Sequence, residues 1–428
     1  MLLLSGGAHP AGEIGRELGW NMGGTPGVVI MYLLAVVSLA IFALGLRKRI
    51  LFWKMGKPVG EGFGDWGRRL WILVRETLFQ VQTRRRFLPG LFHTMIFYSF
   101  LMLFVATLCV MADMDLKHLG VHIFHGQFYL WISLLADLAG GTLLIGVLIA
   151  AVRRYVQKPD FLPQTKPVDT LVLAILAFLV LTGFLAEGAR IQFHPSGDPW
   201  KAWTPIGAGF AYLLKGVSPT TGMGLHAATW WVHALGTFAL IAMIPYTKFL
   251  HILSIPTNQF LSRLAPKGSL QRVDIEQLFD ALGEGEDFVI GVGEGQHLTW
   301  KQRFDLSACI DCGRCDDACP ARAAQQPLSP RSLVEDLRGL LEKAAASSKP
   351  QGGNGGSGEG GSGDDASPAG GPIMSAVGTV FEDTNFIWHC RSCHACQSIC
   401  PAGIGHVDLL IELRRARVLM EGDLPTDA

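Results

Sequence analysis

The chain has 428 residues, of which 49% are hydrophobic and only 17% are charged, whereas soluble domains average about 25% charged residues. Lysine plus arginine and aspartate plus glutamate are equal at 36 each, so no net charge indicates a nucleic-acid partner. Its nine cysteines are too few for a disulfide-dense secreted protein. This composition argues against a single soluble enzyme and against a disordered chain.

Five apolar stretches are each long enough to cross the roughly 30 Å hydrocarbon core of a bilayer. Asp137 is the only acidic residue well inside any of them. The first residues carry no basic region and no cleavage site of the signal-peptide type, so we expect no cleaved signal peptide. The predicted spans are residues 27–46, 91–112, 128–152, 168–186 and 227–251.

Most of the lysines and arginines in the connections follow the first and third spans. Because such residues concentrate on the cytoplasmic side, we expect the N-terminus outside and everything after residue 251 in the cytoplasm of an inner-membrane protein. Residues 68–82 mix apolar and charged side chains at helical spacing, which predicts a helix lying in the cytoplasmic interface. Residues 206–214 are too short to cross and are predicted to anchor at the outer interface.

The remaining chain is predicted to contain a helix at 273–282, a β-prone piece at 288–292 and a flexible Gly/Ser-rich linker at 347–371. The predicted organisation is therefore an outer segment followed by a membrane domain, a cytoplasmic connector and a second domain that the linker interrupts. The corresponding ranges are 1–26, 27–255, 256–300, and 301–346 with 372–428.

Eight of the nine cysteines form two runs of the pattern C-x2-C-x2-C-x3-C-P, which bacterial two-cluster ferredoxins use. Three cysteines at this spacing wind round one 4Fe–4S cluster, and the fourth points to the other cluster. Four-cysteine zinc sites are the alternative, but they use paired C-x2-C knuckles. Cys109 has no partner and is predicted to be a small buried apolar residue. The predicted ligand sets are Cys309, Cys312, Cys315 and Cys400 for one cluster, and Cys390, Cys393, Cys396 and Cys319 for the other.

Histidines within a membrane are costly and usually functional. His93 starts the second span and His251 ends the fifth, both on the cytoplasmic side, so we predict that they are the two axial ligands of a haem. His233 lies 18 residues before His251, which would put both on one helix face, roughly 27 Å apart. A second haem at His233, with His125 as the favoured partner, is left open. Lys248 is a candidate partner of a haem propionate.

The membrane half resembles the haem b (gamma) subunit of respiratory nitrate reductase. The similarity is carried by LFH ending at His93 and by LHAATWWVHALGTFALIAMIPYTKFLHI at 225–252. The resemblance implies that His93 and His251 hold the inner haem of this family. The family's outer haem uses a second histidine ten residues after the first, where this chain has Leu103, so the outer haem is in doubt.

Residues 299–321 and 386–415 resemble membrane-bound iron–sulfur oxidoreductases related to heterodisulfide reductase, including electron-transfer flavoprotein:menaquinone oxidoreductases. Members of this family usually continue into two cysteine-rich CCG domains, which are absent from this sequence. The resemblance implies menaquinone as the quinone. It also implies a cytoplasmic redox partner that either carries the CCG domains or is a different donor.

The predicted fold is an all-α membrane domain, a five-helix haem b bundle, fused to a small helical and irregular two-cluster ferredoxin-like domain. The predicted function is a respiratory electron-transfer subunit that links a cytoplasmic partner, two 4Fe–4S clusters, haem b and a membrane quinone. Asp137 is interpreted either as a polar contact to a neighbouring helix or as a proton relay beside the quinone. The alternatives are a conducting anchor without a quinone site, and a transporter with a regulatory iron–sulfur domain, although no inverted repeat is visible.

Overall fold

The computed structural model of the protein describes residues 14–60, 62–162, 164–266, 268–273, 275–284, 288–347 and 384–424. Over these ranges the chain forms helices and loops and has no β-strand; Lys57 and Thr299 form an isolated β-bridge. The predicted all-helical fold class is confirmed. The β-prone piece predicted at 288–292 is wrong, because its described residues are irregular and only Val292 N–H hydrogen-bonds, at 3.0 Å, to the carbonyl of Glu412.

Five helices are long and apolar enough to cross a membrane, which agrees with the five predicted spans. Large apolar side chains such as Leu33, Val36 and Leu148 are exposed along them, as lipid-facing positions require. The five are α1 (Gly24–Lys54), α4 (Phe87–Leu116), α5 (Gly126–Val152), α6 (Pro167–Phe193) and α8 (Pro219–Met243).

Shorter helices fill the connections and the C-terminal part. The helices predicted at 68–82, 206–214 and 273–282 correspond to α2 with its π-helical extension (Val74–Leu78), to α7 and to α10. Of the predicted linker at 347–371, all but Ser347 lies outside the described residues. The short helices are α2 (Trp66–Leu73), α3 (Val81–Arg84), α7 (Pro205–Leu213), α9 (His251–Phe260), α10 (Ile275–Glu284), α11 (Trp300–Ala308), α12 (Arg314–Asp317), α13 (Pro320–Ala323), α14 (Pro330–Ser347), α15 (Ala395–Ile399) and α16 (His406–Leu419).

The fifth span ends earlier than predicted. Helix α8 stops at Met243, two 3-10 turns follow at Ile244–Tyr246 and Lys248–Leu250, and α9 then begins at His251. Pro245 lies in the first turn and lacks the N–H that a continuing α-helix needs. The prediction that His233 and His251 share one face of a single helix is therefore wrong.

Contacts divide the chain into two compact units. The first unit comprises residues up to Gly45, Thr83–Pro159 and Thr165–Phe249. In it α4 packs on α5, and α6 packs on α5, α7 and α8. Small residues allow this close packing: a Cβ at Gly140 would lie 2.7 Å from the Phe184 ring, and one at Gly236 would lie 2.8 Å from the Phe178 ring.

The second unit comprises Leu46–Gln82, Asp160–Gln164 and Leu250–Ala428. Its core contains Leu298, Leu333, Phe386 and Leu413, none of which is exposed. Phe52 packs in the same core, and the Trp53 indole N–H donates to Ser307 Oγ at 2.9 Å. Residues 46–82, which the sequence analysis assigns to the membrane domain, thus pack with the C-terminal residues. The predicted domain boundaries otherwise stay a prediction.

Candidate metal and cofactor sites

The two cysteine runs follow the same backbone path. In the first run the second and fourth residues after Cys309 have positive φ angles, Asp311 at 58° and Gly313 at 74°. In the second run the equivalent residues after Cys390 are Ser392 at 50° and His394 at 58°. Left-handed residues at these two positions turn the loop back on itself. Each run therefore forms a tight loop before its short helix, α12 or α15.

The structure brings the eight thiols together in two groups of four. One cavity is lined by Cys309, Cys312, Cys315 and Cys400, which we call the Cys309 set. The other cavity is lined by Cys319, Cys390, Cys393 and Cys396, which we call the Cys390 set. Each run therefore contributes its first three cysteines to one cavity and its fourth to the other, which are the groupings predicted from the sequence.

The chemistry of both cavities suits iron–sulfur clusters. Burial raises the pKa of the Cys396 thiol to about 12 and that of Cys400 to about 11, so without metal these thiols hold their protons. A bound cation compensates the buried thiolates and releases those protons. Backbone N–H groups also face the sulfurs: Asp311 N lies 3.5 Å from Cys309 Sγ, and Ser392 N lies 3.4 Å from Cys390 Sγ.

A single zinc ion fits these cavities less well than a larger cluster does. A four-cysteine zinc site brings all its sulfurs to about 2.3 Å from one point. Among the described residues, no group of three or more His, Cys, Asp or Glu side chains is arranged to hold one metal ion. Thiols that line a cavity without converging on one point match the wider spacing around a cube of iron and sulfide.

A buried charge network, not predicted from the sequence, supports the Cys309 set. The side chain of Asp316 accepts hydrogen bonds from Ser329 Oγ at 2.9 Å and from the backbone N and Nε of Arg331 at 3.0 and 3.1 Å. Arg331 also contacts Asp311 at 3.1 Å and lines the cavity. The Asp-Asp pair after Cys315 is the one sequence signal that pointed to this network.

The Cys390 set is more open. Cys393 and Arg391 are exposed, whereas Cys315 and Cys400 of the other set are buried. His394 lines the cavity of the Cys390 set and hydrogen-bonds through Nδ1 to Gln397, whose Nε2 donates to Asp408 at 3.0 Å. The two cavities therefore differ in solvent access, and the exposed thiol is in the set built mainly on the later run.

The predicted haem ligands lie at helix ends. His93 is in the second turn of α4, and His251 is the first residue of α9; both side chains are half-buried. His93 and His251 belong to different compact units, and their pairing stays a prediction. Lys248, a candidate propionate partner, has its ammonium 2.6 Å from Asp169, which also pairs with Arg154.

The histidines considered for a second haem have other surroundings. His233 is half-buried on α8, with Nδ1 3.1 Å from Thr182 Oγ1 of α6. The next residue of α6 is Gly183, where a Cβ would lie 3.2 Å from the His233 ring. His125 precedes the first residue of α5 and is exposed. A haem between His233 and His125 stays a prediction.

Asp137 lies beneath the start of α7. Its buried carboxylate accepts hydrogen bonds from the backbone N–H groups of Ile206 and Gly207, both at 2.9 Å. These are two of the N–H groups that the first turn of a helix leaves without intrahelical partners, and a negative charge there is favourable. The polar contact to a neighbouring helix that the sequence analysis considered is thus present. Cys109 packs partly buried beside Phe124 and Tyr129, as an apolar residue would.

Two family models match the chain. Residues 80–265 match the nitrate reductase gamma subunit, and residues 308–404 match the 4Fe-4S dicluster domain. The first match contains both His93 and His251, and the second contains all eight cysteines of the two runs. No solved structure matches significantly. With five membrane-length helices and these matches, the chain is a multi-pass membrane protein.

Curated relatives combine the same two parts. The chain is 29% identical to the EtfAB:quinone oxidoreductase of Syntrophomonas wolfei over 93% of the chain and 56% of that protein. It is 29% identical to the probable iron-sulfur-binding oxidoreductase FadF of Bacillus subtilis over 94% of the chain and 57% of that protein. One component of the dihydromethanophenazine:CoB--CoM heterodisulfide reductase of Methanosarcina thermophila is 29% identical over 50% of the chain and 68% of that component.

The chain spans a little over half the length of the first two relatives. The order of its parts agrees with the order predicted from the sequence: the membrane helices come first and the cysteine runs follow. The chain therefore carries a nitrate reductase gamma domain followed by a 4Fe-4S dicluster domain, and it is homologous to quinone-linked iron–sulfur oxidoreductases and to membrane subunits of heterodisulfide reductase.

Proposed function

We propose that this chain is an electron-transfer subunit of a quinone-linked oxidoreductase in the inner membrane. It passes electrons between a cytoplasmic redox partner and a membrane quinone. The observation that carries the proposal is the presence of two four-thiol cavities on the same polypeptide as five membrane-length helices. A transporter or a soluble ferredoxin would need only one of these two parts.

The chain's own residues hold the redox groups. The Cys309 set and the Cys390 set each hold one 4Fe–4S cluster, and His93 and His251 are the axial ligands of one haem b. Bound there, these groups supply one-electron redox chemistry. Two imidazole ligands fill both axial positions of the iron, so the haem site is suited to electron transfer and not to small-molecule binding.

The distribution of lysine and arginine supports a cytoplasmic position for both cysteine runs and an outer position for the N-terminus. The exposed Cys393 and Arg391 make the Cys390 set the accessible one for a cytoplasmic partner. The names of the relatives support a quinone as the membrane substrate, and the family resemblance favours menaquinone. In this proposal a separate subunit, with CCG domains or of another type, is the cytoplasmic partner.

The test is a cofactor inventory of the purified chain. We expect about eight cluster irons with matching sulfide, four per cube, and at least one haem with a low-spin spectrum. Reduced haem should be reoxidised by a menaquinone analogue, and a quinone-site inhibitor should block this step. A protein that is colourless in the Soret region contradicts the proposal. Haem that quinone cannot reoxidise favours the conducting anchor instead.

A further inference from the structure

Helix α9 begins at His251 and reaches the wall of the Cys309 set within two turns. Near its end, Asn258 Nδ2 donates to the carbonyl of Ala402 at 2.9 Å, and Gln259 Nε2 donates to the carbonyl of Pro401 at 2.9 Å. Asn258 is fully buried and Gln259 is nearly so. Pro401 and Ala402 both line the cavity of the Cys309 set.

The two amide side chains are themselves held in place. Asn258 Nδ2 also donates to Asp305 Oδ1 at 2.7 Å, and Gln259 Oε1 accepts from Thr77 Oγ1 at 2.6 Å. All four residues belong to the second compact unit. Asn258 and Gln259 are therefore oriented before they contact the cysteine loop, and they fix the positions of the two carbonyls.

These carbonyls are the outer ends of peptides whose inner ends face a ligand sulfur. In a trans peptide the C=O of one residue and the N–H of the next point in opposite directions. The carbonyl of Pro401 therefore opposes the N–H of Ala402, and the carbonyl of Ala402 opposes the N–H of Gly403. Both N–H groups, with that of Ile404, hydrogen-bond to Cys400 and oppose the rise of its pKa that burial causes.

Hydrogen bonds to the sulfurs are one of the main controls on the reduction potential of an iron–sulfur cluster. Groups that orient the ligands from outside matter nearly as much as the ligands themselves. An amide that holds a carbonyl in place thereby holds the opposite N–H against the sulfur. Asn258 and Gln259 occupy this position for two of the three N–H groups that face Cys400.

We propose that Asn258 and Gln259 are positioning residues that orient the N–H groups facing Cys400, and thereby set the potential of the cluster in the Cys309 set from the helix that carries His251. Seven residues separate His251 from Asn258, which is roughly 10 Å of helix. The Cys309 set is thus the set linked directly to the haem ligand, and the Cys390 set, with its exposed Cys393, faces the donor. This inference depends on the proposed function for the identity of the bound groups.

The experiment compares Asn258→Leu and Gln259→Met with the wild-type full-length protein in detergent. Both changes keep the approximate side-chain size and remove the N–H donor. Redox titration with paramagnetic resonance should show the Cys309-set cluster shifted to a more negative potential, because a less oriented N–H stabilises the reduced, more anionic cluster less. Haem reduction from the clusters should slow by roughly tenfold, as is typical of changes outside the ligand shell.

Two further variants assign the signals and provide a control. Cys319→Ser removes a ligand of the Cys390 set, so the remaining cluster signal belongs to the Cys309 set. Gln397→Met breaks the contact between Gln397 and His394 beside the Cys390 set, and it should leave the potential of the Cys309 set unchanged. If Asn258→Leu does not fold, Thr77→Val gives a milder test, since it loosens Gln259 without touching its bond to Pro401.

An unchanged potential of the Cys309-set cluster in a variant with wild-type iron and sulfide content overturns the inference. A shift confined to the Cys390 set also overturns it. A wild-type protein without clusters or haem means that the proposed function fails. A fully loaded wild-type protein with silent variants means that only the role of Asn258 and Gln259 fails.

Discussion

Asp316 carries the buried charge on which the first cysteine loop rests. The residue is 3% exposed, and its carboxylate binds Ser329 and Arg331 through hydrogen bonds of 2.9 to 3.1 Å. Asp316→Asn keeps the shape of the side chain and removes its charge. One carboxylate oxygen becomes an NH2 group, which then faces either the Arg331 donors or the Ser329 hydroxyl.

The cost follows from these contacts. A hydrogen bond to a charged group contributes about 1.5 to 3 kcal/mol, and stranding one partner of a buried ion pair costs about 3 to 5 kcal/mol. Arg331 is not stranded here, because Asp311 stays 3.1 Å away. We therefore expect a loss of about 2 to 3 kcal/mol in the free energy of unfolding, or roughly 5 to 10 °C in the midpoint.

The assay is the thermal loss of cluster absorbance together with near-ultraviolet circular dichroism. Asp423→Asn is the matched control, since Asp423 pairs with Arg417 but has 47% of its side chain exposed. An exposed pair contributes less than about 1 kcal/mol, so the control should melt within about 2 °C of wild type. Equal melting of the two variants would refute the assignment of Asp316 as a structural hub.

Three further changes test the sites. Asp137→Ala should lower the free energy of unfolding by about 1 to 2 kcal/mol through loss of the α7 cap, and Asp137→Asn by less; a normal melting profile with blocked quinone turnover would favour the proton relay instead. Cys319→Ser should remove the Cys390-set cluster and keep the other, as measured by iron analysis and paramagnetic resonance; loss of the Cys309-set signal would contradict the crossed grouping. His93→Ala should abolish the haem spectrum and leave iron and sulfide in the clusters intact, whereas a retained low-spin spectrum would exclude His93 as a ligand.

The sequence was most informative where chemistry fixes spacing. The grouping of Cys400 with the first run, and of Cys319 with the second, followed from the ferredoxin pattern alone. The five spans followed from hydropathy, because a bilayer imposes one minimum length on all of them. The end of the fifth span was missed, since the residues after Pro245 stay apolar and only the missing proline N–H marks the break.

The residues that surround the sites could not be predicted in the same way. Asn258 and Ala402 are more than a hundred residues apart in the chain, and only tertiary packing brings them together. Nothing in the local pattern distinguishes Asn258 and Gln259 from ordinary polar residues at a helix end. Asp137 was recognised as unusual, but its partner is the backbone of α7, which has no side-chain signature.

The exchange of one cysteine between the two runs has a consequence for biogenesis. Because Cys400 lies with Cys309, Cys312 and Cys315, the first cavity has only three of its four thiols until the ribosome has passed the last cysteine codon. Cofactor insertion at either cavity therefore has to wait for almost the whole polypeptide. A nascent chain that is truncated between the runs would expose an incomplete metal trap, a form that quality-control proteases could recognise.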